Sequence, residues 1–273
     1  MASFLVNGWP AQSIDTADRG LQYGDGVFRT LRVSGGRALN WRRQYGRLAA
    51  DCAALGLACP DETLLLAEIA RVAPGDATAK VIVTRGGSGR GYAFPEDIRP
   101  NRIVVAYPAL APDPLPALEG VRARRCDLVL ARQPRLAGVK TLGRLENILA
   151  RAEWRDPSIR EGFLADADGL LVEGTFSNVF LARDGTLSTP DLSRCGVAGA
   201  ERERVLELAA AHGIDFAVRD IAFGECDGAD EIFITNSVIG ILPVIELGAW
   251  RRPPGPITRR LQDLVAEDDA RSP

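Results

Sequence analysis

The chain has 273 residues, of which 46% are hydrophobic and 25% are charged, a composition typical of a soluble globular protein with a large buried core. Its formal net charge of −3 gives no general attraction to nucleic acid or to anionic membranes, so we expect neither as a partner. No apolar stretch approaches the roughly 20 residues of a membrane span, and the opening MASFLVNGWPAQS has no signal-peptide pattern, which predicts a cytoplasmic protein.

Residues 1–108 predict a small α/β N-terminal domain. The opening SFLVNGWP suggests an edge hairpin with an Asn-Gly turn, and GVFRTLRV alternates like a strand that turns at SGGR into a second one. Two helices follow, WRRQYGRLAADCAALGL, which ends at Gly56, and DETLLLAEIARVA, which has an acidic first turn. The strands AKVIVTRGG and RIVVAYPAL then flank a glycine-rich loop, GGSGRGY.

A proline-rich segment, residues 109–119, predicts a linker, because proline removes backbone donors and interrupts helices and sheets. Beyond it, residues 120–273 predict a larger mixed α/β C-terminal domain. Its predicted strands are VRARRCDLVL, EGFLADADG, LLVEGTFSNVFLAR and EIFITNSVIGILPV, and its predicted helices are LGRLENILARAEW, ERERVLELAAAHG and ITRRLQDLVAED. The whole chain therefore predicts an α+β protein of two domains.

Histidine and cysteine usage argues against two common kinds of site. The one histidine, His212, stands near the end of a predicted helix, and the five cysteines are dispersed without zinc or redox spacing. We therefore predict no metal site and no Ser-His-Asp triad.

Lysine is scarce in this chain. Only Lys80 and Lys140 are lysines among the 33 basic side chains. Arginine stays protonated, whereas a desolvated lysine amine can act as a base or form an imine, although a coding bias toward arginine could also leave two lysines behind. Lys140 stands immediately before a predicted helix beside the apolar Leu136, Val139 and Leu142, a setting that lowers an amine pKa.

The predicted strand LLVEGTFSNVFL carries a carboxylate on an apolar face. Leu171, Glu173 and Thr175 share that face, so Glu173 would be buried and would need a cationic partner, such as a protonated pyridine nitrogen. The same sequence is equally consistent with an exposed glutamate beside a Glu-Gly turn.

Two further stretches suggest an anion site. Gly196 and Gly199 directly precede a helix, where free amides and the helix dipole favour an anion, although Glu201 in the first turn could satisfy the dipole alone. Asn236 and Ser237, at the end of the strand FITNSV, could complete a phosphate cup or simply cap the strand.

In their order along the chain, these motifs resemble the fold type IV family of pyridoxal-phosphate enzymes, which includes branched-chain aminotransferases, D-amino-acid aminotransferases and 4-amino-4-deoxychorismate lyases. The resemblance covers essentially the whole chain, in DRGLQYGDGVFRTLRV, RQYGRLAADCAALG, TRGGSGRGY, LAGVKTLGRLENILAR, VEGTFSNVFL, GVAGA and FITNSVIGILPV. It implies a two-domain fold of the D-amino-acid aminotransferase type, pyridoxal 5'-phosphate as cofactor, and a homodimer.

The resemblance also implies roles for single residues. Lys140 would form the Schiff base with the cofactor, and Glu173 would pair with its ring nitrogen. The phosphate would be bound by Arg47, the backbone amides of Ala200 and Glu201, and the side chains of Asn236 and Ser237.

Within the family, the Arg-Leu-Glu helix start after Lys140 and the loop GGSGRGY most resemble the lyases, which implies release of 4-aminobenzoate and pyruvate in folate biosynthesis. Arg90, Tyr92 and Lys80 are then candidate substrate contacts, and Thr30 resembles a hydroxyl that protonates the leaving pyruvate. Two alternatives stay open: an aminotransferase, which would share every cofactor residue, and a non-catalytic binding protein of the same fold.

Overall fold

A computed structural model describes residues 3–109 and 113–271, and the chain divides into two compact units. The first unit covers the chain before the gap together with Val139–Gly143, and the second unit covers the remainder. The sequence prediction placed Val139–Gly143, and Lys140 with it, in the C-terminal domain, and this differs from the structure. Residues 110–112 of the predicted linker lie outside the described residues.

The first unit is built on a six-stranded antiparallel sheet with three helices. The strands are β1 (Ser3–Val6), β2 (Trp9–Pro10), β3 (Gly26–Ser34), β4 (Arg37–Ala38), β5 (Ala77–Thr84) and β6 (Asn101–Pro108). The helices are α1 (Arg19–Tyr23), α2 (Trp41–Ala54) and α3 (Glu62–Val72). The strand order is β2-β1-β6-β5-β3-β4, so β3 and β5 lie side by side.

Alternation along β3 determines which face packs. Val27, Leu31 and Val33 are buried in a core that also holds Leu48 of α2 and Leu65 of α3. Phe28, Thr30 and Arg32 lie on the opposite face and are half-buried. The period-2 pattern of GVFRTLRV therefore predicted both the strand and its two faces.

The sequence analysis missed the short helix α1. Asp18 caps it, because one oxygen of its carboxylate accepts hydrogen bonds from the amides of Gly20 (2.8 Å) and Leu21 (3.2 Å). Gly24 ends the helix with a φ of 68°, which favours glycine. A five-residue helix is too short to show helical periodicity in the sequence.

Among the residues that the structure describes, the second unit contains nine strands in one mixed sheet. They are β7 (Val121–Leu130), β8 (Ile159–Asp166), β9 (Leu171–Gly174), β10 (Asn178–Arg183), β11 (Thr186–Pro190), β12 (Phe216–Arg219), β13 (Glu231–Asn236), β14 (Gly240–Leu247) and β15 (Trp250–Arg251). Their order is β12-β11-β10-β13-β14-β7-β8-β9, with β15 paired to β14. The helices are α4 (Leu115–Glu119), α5 (Leu145–Arg151), α6 (Ala200–Ala211) and α7 (Pro256–Arg271). The mixture of sheet and helix confirms the predicted α+β class.

Three predicted elements differ in the structure. The segment LLVEGTFSNVFLAR is two strands, β9 and β10, so Thr175 lies in the connecting loop and does not share a strand face with Glu173. The predicted linker contains α4, whose prolines stand at its first turn, where proline is tolerated. The predicted helix LGRLENILARAEW is helical only over Leu145–Arg151.

Within the described ranges 3–109 and 113–271, the structure contains no helix with both the length and the hydropathy needed to cross a membrane.

Candidate active site

Lys140 lies on an extended segment that pairs with the beginning of β3. The amide of Phe28 donates to the carbonyl of Lys140 (3.1 Å), and the amide of Leu142 donates to the carbonyl of Gly26 (2.9 Å). The Lys140 side chain is half-buried, and its Nζ lies 4.7 Å from the centroid of the Phe28 ring. Backbone pairing on both sides of the residue therefore fixes where the amine emerges.

Lys80 lies beside the same aromatic ring. Its Nζ is 4.5 Å from the centroid of Phe28, and Thr30 is directly opposite Lys80 in the β3–β5 register. Burial lowers the pKa of Lys80 below its usual value. The structure thus brings two of the predicted residues, Lys140 and Lys80, against the ring of Phe28, which the prediction did not include, and it pairs Lys80 with Thr30 across the sheet.

Asp51 connects Lys140 to two arginines of the first unit. Its carboxylate accepts a hydrogen bond from the amide of Lys140 (3.4 Å) and forms an ion pair with the buried Arg29. Arg29 also donates to the carbonyl of Arg47 (3.3 Å), so the predicted phosphate arginine is near this network. Burial raises the pKa of Asp51, and the neighbouring Arg29 opposes that shift.

Sequence analysis missed Asp51 and Arg29. The only available signal was a charged residue on the apolar face of β3, where Arg29 stands between Val27 and Leu31. Its partner comes from a helix 22 residues later in the chain, and strand periodicity contains no information about that contact.

Arg90 and Tyr92 are on the loop between β5 and β6. Both side chains are exposed, Tyr92 with 84% of its surface, although its ring lies 5.6 Å from that of Tyr23 in an edge contact. Lys140 contacts Phe28 and Asp51, and these contacts do not involve Arg90 or Tyr92.

The buried Arg19 anchors this loop. Its guanidinium donates to the carbonyls of Gly91 (2.9 Å) and Tyr92 (3.0 Å) and pairs with Asp25, which also binds Arg85. Burial is the largest single influence on Asp25, but hydrogen bonds from the two arginines together hold its pKa below the usual value. The anchor explains the DRGLQYGDG stretch, which the sequence analysis recognised without assigning roles to Arg19 or Asp25.

Glu173 is buried in the second unit, with 4% of its surface exposed. Its Oε2 accepts a hydrogen bond from the amide of Val197 (2.7 Å). Asn178 binds the same stretch, donating to the carbonyl of Val197 (2.8 Å) and accepting from the amide of Gly199 (3.2 Å). The glycine loop 196–199 is therefore held by a carboxylate at one end of the β9–β10 connection and by an amide at the other.

Ala200 and Glu201 are the first two residues of α6, directly after this loop. Both are buried, and the Glu201 carboxylate accepts from Arg204 (3.3 Å), which also pairs with Asp268 and Asp269. A twelve-residue helix presents its first amides here, as an anion site requires. The side chain of Glu201 therefore forms an ion pair with Arg204.

Asn236 and Ser237 end β13 and begin the turn to β14. The Asn236 side chain accepts from the amides of Val238 (2.8 Å) and Ile239 (3.0 Å) and donates to the carbonyl of Phe176 (3.1 Å). These contacts match the turn-capping alternative for Asn236. Ser237 is half-buried in the same turn.

The two units provide three groups with useful chemistry. They are the amine of Lys140, whose backbone is held by β3, the buried carboxylate of Glu173, and the first amides of α6. An amine can attach an aldehyde as an imine, a buried carboxylate can pair with a protonated ring nitrogen, and helix amides can bind a phosphate. This donor set fits pyridoxal phosphate. The assignment of single residues to each part of the cofactor stays a prediction.

Comparison with known proteins gives consistent matches over nearly the whole chain. The model of the class IV amino-transferase family matches residues 26–247. The crystal structure of 4-amino-4-deoxychorismate lyase from Pseudomonas aeruginosa superposes with a TM-score of 0.92 at 44% identity, covering 97% of this chain and 98% of that one. Aminodeoxychorismate lyase of Vibrio harveyi is 32% identical over 95% of this chain and 98% of its own. D-alanine aminotransferase of Bacillus licheniformis is 26% identical over 93% of this chain and 90% of its own.

Proposed function

The chain belongs to the class IV amino-transferase family, and on that premise we propose that it is a pyridoxal-phosphate-dependent lyase that converts 4-amino-4-deoxychorismate to 4-aminobenzoate and pyruvate in folate biosynthesis. The membership confirms the resemblance and the fold type predicted from the sequence. The observation that carries the proposal of a lyase is the 44% identity with the Pseudomonas enzyme along 97% of the chain.

The cofactor roles follow the chemistry of the buried groups. Lys140 attaches the cofactor aldehyde, and Glu173 holds a proton on the ring nitrogen. The amides of Ala200 and Glu201 bind the phosphate together with Arg47. The Asn236 side chain already binds its own turn and the carbonyl of Phe176, so we place it and Ser237 at the edge of the phosphate site, without a direct contact to the phosphate charge.

When bound, pyridoxal phosphate supplies an electron-poor ring that stabilises the electron pair released from the substrate C4–H bond. Lys140 would hold the cofactor through its amine, and the same Nζ, when free, would take the proton from the substrate C4. The C–O bond to the pyruvate group breaks as the substrate ring becomes aromatic. Thr30, directly opposite Lys80, donates a proton to the departing pyruvate.

Positive side chains recognise the two carboxylates of the substrate. Lys80 contacts the same ring as Lys140, and a substrate carboxylate arriving there would raise the pKa of Lys80 and so oppose the burial that lowers it. Arg90 and Tyr92 are on the exposed loop anchored by Arg19 and would contact the outer part of the substrate.

Replacing Arg90 with alanine should raise KM and leave cofactor binding unchanged. A lost charge-assisted contact costs about 1.5 to 3 kcal/mol, which corresponds to a rise in KM of roughly 10- to 150-fold. Steady-state kinetics on the holoenzyme measure this. Arg99→Ala, at an exposed arginine of the same connection, is the matched control and should keep the parental KM. An unchanged KM in Arg90→Ala would make Arg90 an ordinary loop residue.

The reaction itself separates a lyase from a transaminase. Because elimination returns the cofactor to its aldehyde form, the holoenzyme should convert 4-amino-4-deoxychorismate to 4-aminobenzoate and pyruvate with no added keto acid. Chromatography of both products measures this, with Lys140→Ala as the inactive control.

An aminotransferase is the second candidate, favoured by the similarity to D-alanine aminotransferase. It leaves the amino group on the cofactor and needs a keto acid to regenerate it. Rapid exchange between D-alanine or leucine and 2-oxoglutarate, without 4-aminobenzoate, would contradict the lyase proposal. A protein that neither binds cofactor nor turns over either substrate would favour the non-catalytic alternative.

We also propose that the protein is a homodimer in the cytoplasm. In support of the dimer, α5 carries three exposed apolar side chains at helical spacing, Leu145 (72% exposed), Ile148 (62%) and Leu149 (61%). Such a face on a short helix is typical of a protein–protein contact.

A further inference from the structure

Glu161 on β8 is a fully buried carboxylate, with 0% of its surface exposed. Its Oε1 accepts from the amides of Gly162 (2.8 Å) and Thr175 (2.9 Å) and from the Thr175 hydroxyl (2.6 Å). Its Oε2 accepts from the Ser177 hydroxyl (2.6 Å) and the amide of Phe176 (3.4 Å). Burying a carboxylate costs free energy unless its lone pairs are satisfied, and here neutral donors satisfy them.

Four of these five donors belong to the loop 175–177 that connects β9 to β10. The carbonyls of this loop are bound as well, that of Thr175 by Asn147 (3.1 Å) and that of Phe176 by Asn236 (3.1 Å). The loop is therefore fixed through its amides, hydroxyls and carbonyls. Glu161 also packs closely against Gly174. A Cβ added to Gly174 would lie 2.6 Å from Oε2 of Glu161, so no larger side chain fits there.

The two ends of this loop carry the groups that bind the glycine loop 196–199. Glu173 lies just before the loop 175–177 and accepts a hydrogen bond from the amide of Val197. Asn178 lies just after this loop and donates a hydrogen bond to the carbonyl of Val197. Residues 175–177 connect Glu173 to Asn178, and Glu161 accepts hydrogen bonds from all three of them. Glu161 therefore constrains the path of the chain between these two side chains.

We propose that Glu161 is a positioning residue that orients Glu173 toward the ring nitrogen of pyridoxal phosphate, an inference that rests on the proposed function. It does not touch the cofactor. By holding Thr175 and Ser177, it keeps the Glu173 carboxylate aligned with the amide of Val197 before the cofactor binds.

Glu231 offers a matched control for a purely structural carboxylate. It is also buried on a strand of the second unit, and it accepts from the amides of Ile257 (3.0 Å) and Thr258 (2.8 Å) and from the Thr258 hydroxyl (2.7 Å). These contacts stabilise the start of α7 and involve neither the β9–β10 loop nor the glycine loop. Glu231→Gln should lower Tm and leave the bound cofactor unchanged.

The experiment uses holoenzyme loaded with pyridoxal phosphate labelled with ¹⁵N in the ring, whose chemical shift reports protonation of that nitrogen. Glu161→Gln should move the resonance toward the unprotonated value and weaken cofactor binding by about tenfold or more, as is typical when a group that orients a direct ligand is lost. Glu231→Gln should change neither quantity. Where Glu161→Gln does not fold, Ser177→Ala takes its place and should move the resonance in the same direction.

The reference variant Glu173→Gln separates failure of this inference from failure of the proposed function. If Glu173→Gln moves the ¹⁵N resonance and Glu161→Gln, or Ser177→Ala in its place, does not, then Glu161 is structural and the positioning role is wrong. If Glu173→Gln itself leaves the resonance unchanged, Glu173 is not the partner of the ring nitrogen, and the residue assignment of the proposed function is wrong instead.

Discussion

Lys140→Ala should abolish the covalent attachment of pyridoxal phosphate and lower kcat by on the order of 10⁴-fold or more, because the variant loses both the imine-forming amine and the base that takes the C4 proton. The purified parent should be yellow, and the variant should lack that absorbance. Borohydride reduction of the parent, followed by peptide mapping, should place the adduct on Lys140.

Lys80 provides the critical control, because its amine and that of Lys140 contact the same ring, Phe28. Lys80→Ala should retain the absorbance and the reduced adduct. Lys140→Arg should retain positive charge and fail to form the adduct, because a guanidinium does not form an imine under these conditions. Recovery of the adduct on Lys80 in the parent protein would overturn the assignment.

The sequence singled out Lys140 as the candidate reactive lysine because chemistry and composition coincided at that position. Lysine is nearly absent from an arginine-rich chain, and Lys140 precedes a helix among apolar residues. What the sequence left out is the support of that lysine. Asp51 accepts a hydrogen bond from the amide of Lys140, which lies 89 positions later in the chain. Arg29, which lies 22 positions before Asp51, forms an ion pair with it. Such pairings are set by the fold and leave no periodic trace.

The errors in the predicted elements have a physical explanation as well. The run LLVEGTFSNVFL reads as one strand because apolar residues continue on both sides of residues 175–177, where the hydroxyl side chains of Thr175 and Ser177 are buried in a loop. They are buried because Glu161 binds them, which local sequence patterns do not contain. The grouping of Val139–Gly143 with the first unit has the same kind of cause, because this segment pairs with β3, which lies more than 100 residues earlier in the chain. Local sequence patterns do not contain that pairing either.

Glu173→Gln should bind pyridoxal phosphate and lower kcat by on the order of 10²- to 10³-fold, the effect expected when a buried charge that stabilises the transition state becomes neutral. Glutamine keeps an oxygen that can accept from the amide of Val197, so the glycine loop and the start of α6 should stay in place. Absorbance titration measures cofactor binding, and single-turnover kinetics measure the chemical step.

The conservative variant Glu173→Asp distinguishes charge from shape in this prediction. Aspartate keeps the negative charge on a shorter side chain, so it should recover part of the lost kcat, whereas a purely steric role would leave the isosteric glutamine near-parental and make aspartate the slower variant. Because Glu173 is 4% exposed, water cannot replace its charge in Glu173→Gln. Near-parental turnover in Glu173→Gln would therefore mean that the ring nitrogen needs no carboxylate in this enzyme, and that the buried position of Glu173 serves only to hold the amide of Val197.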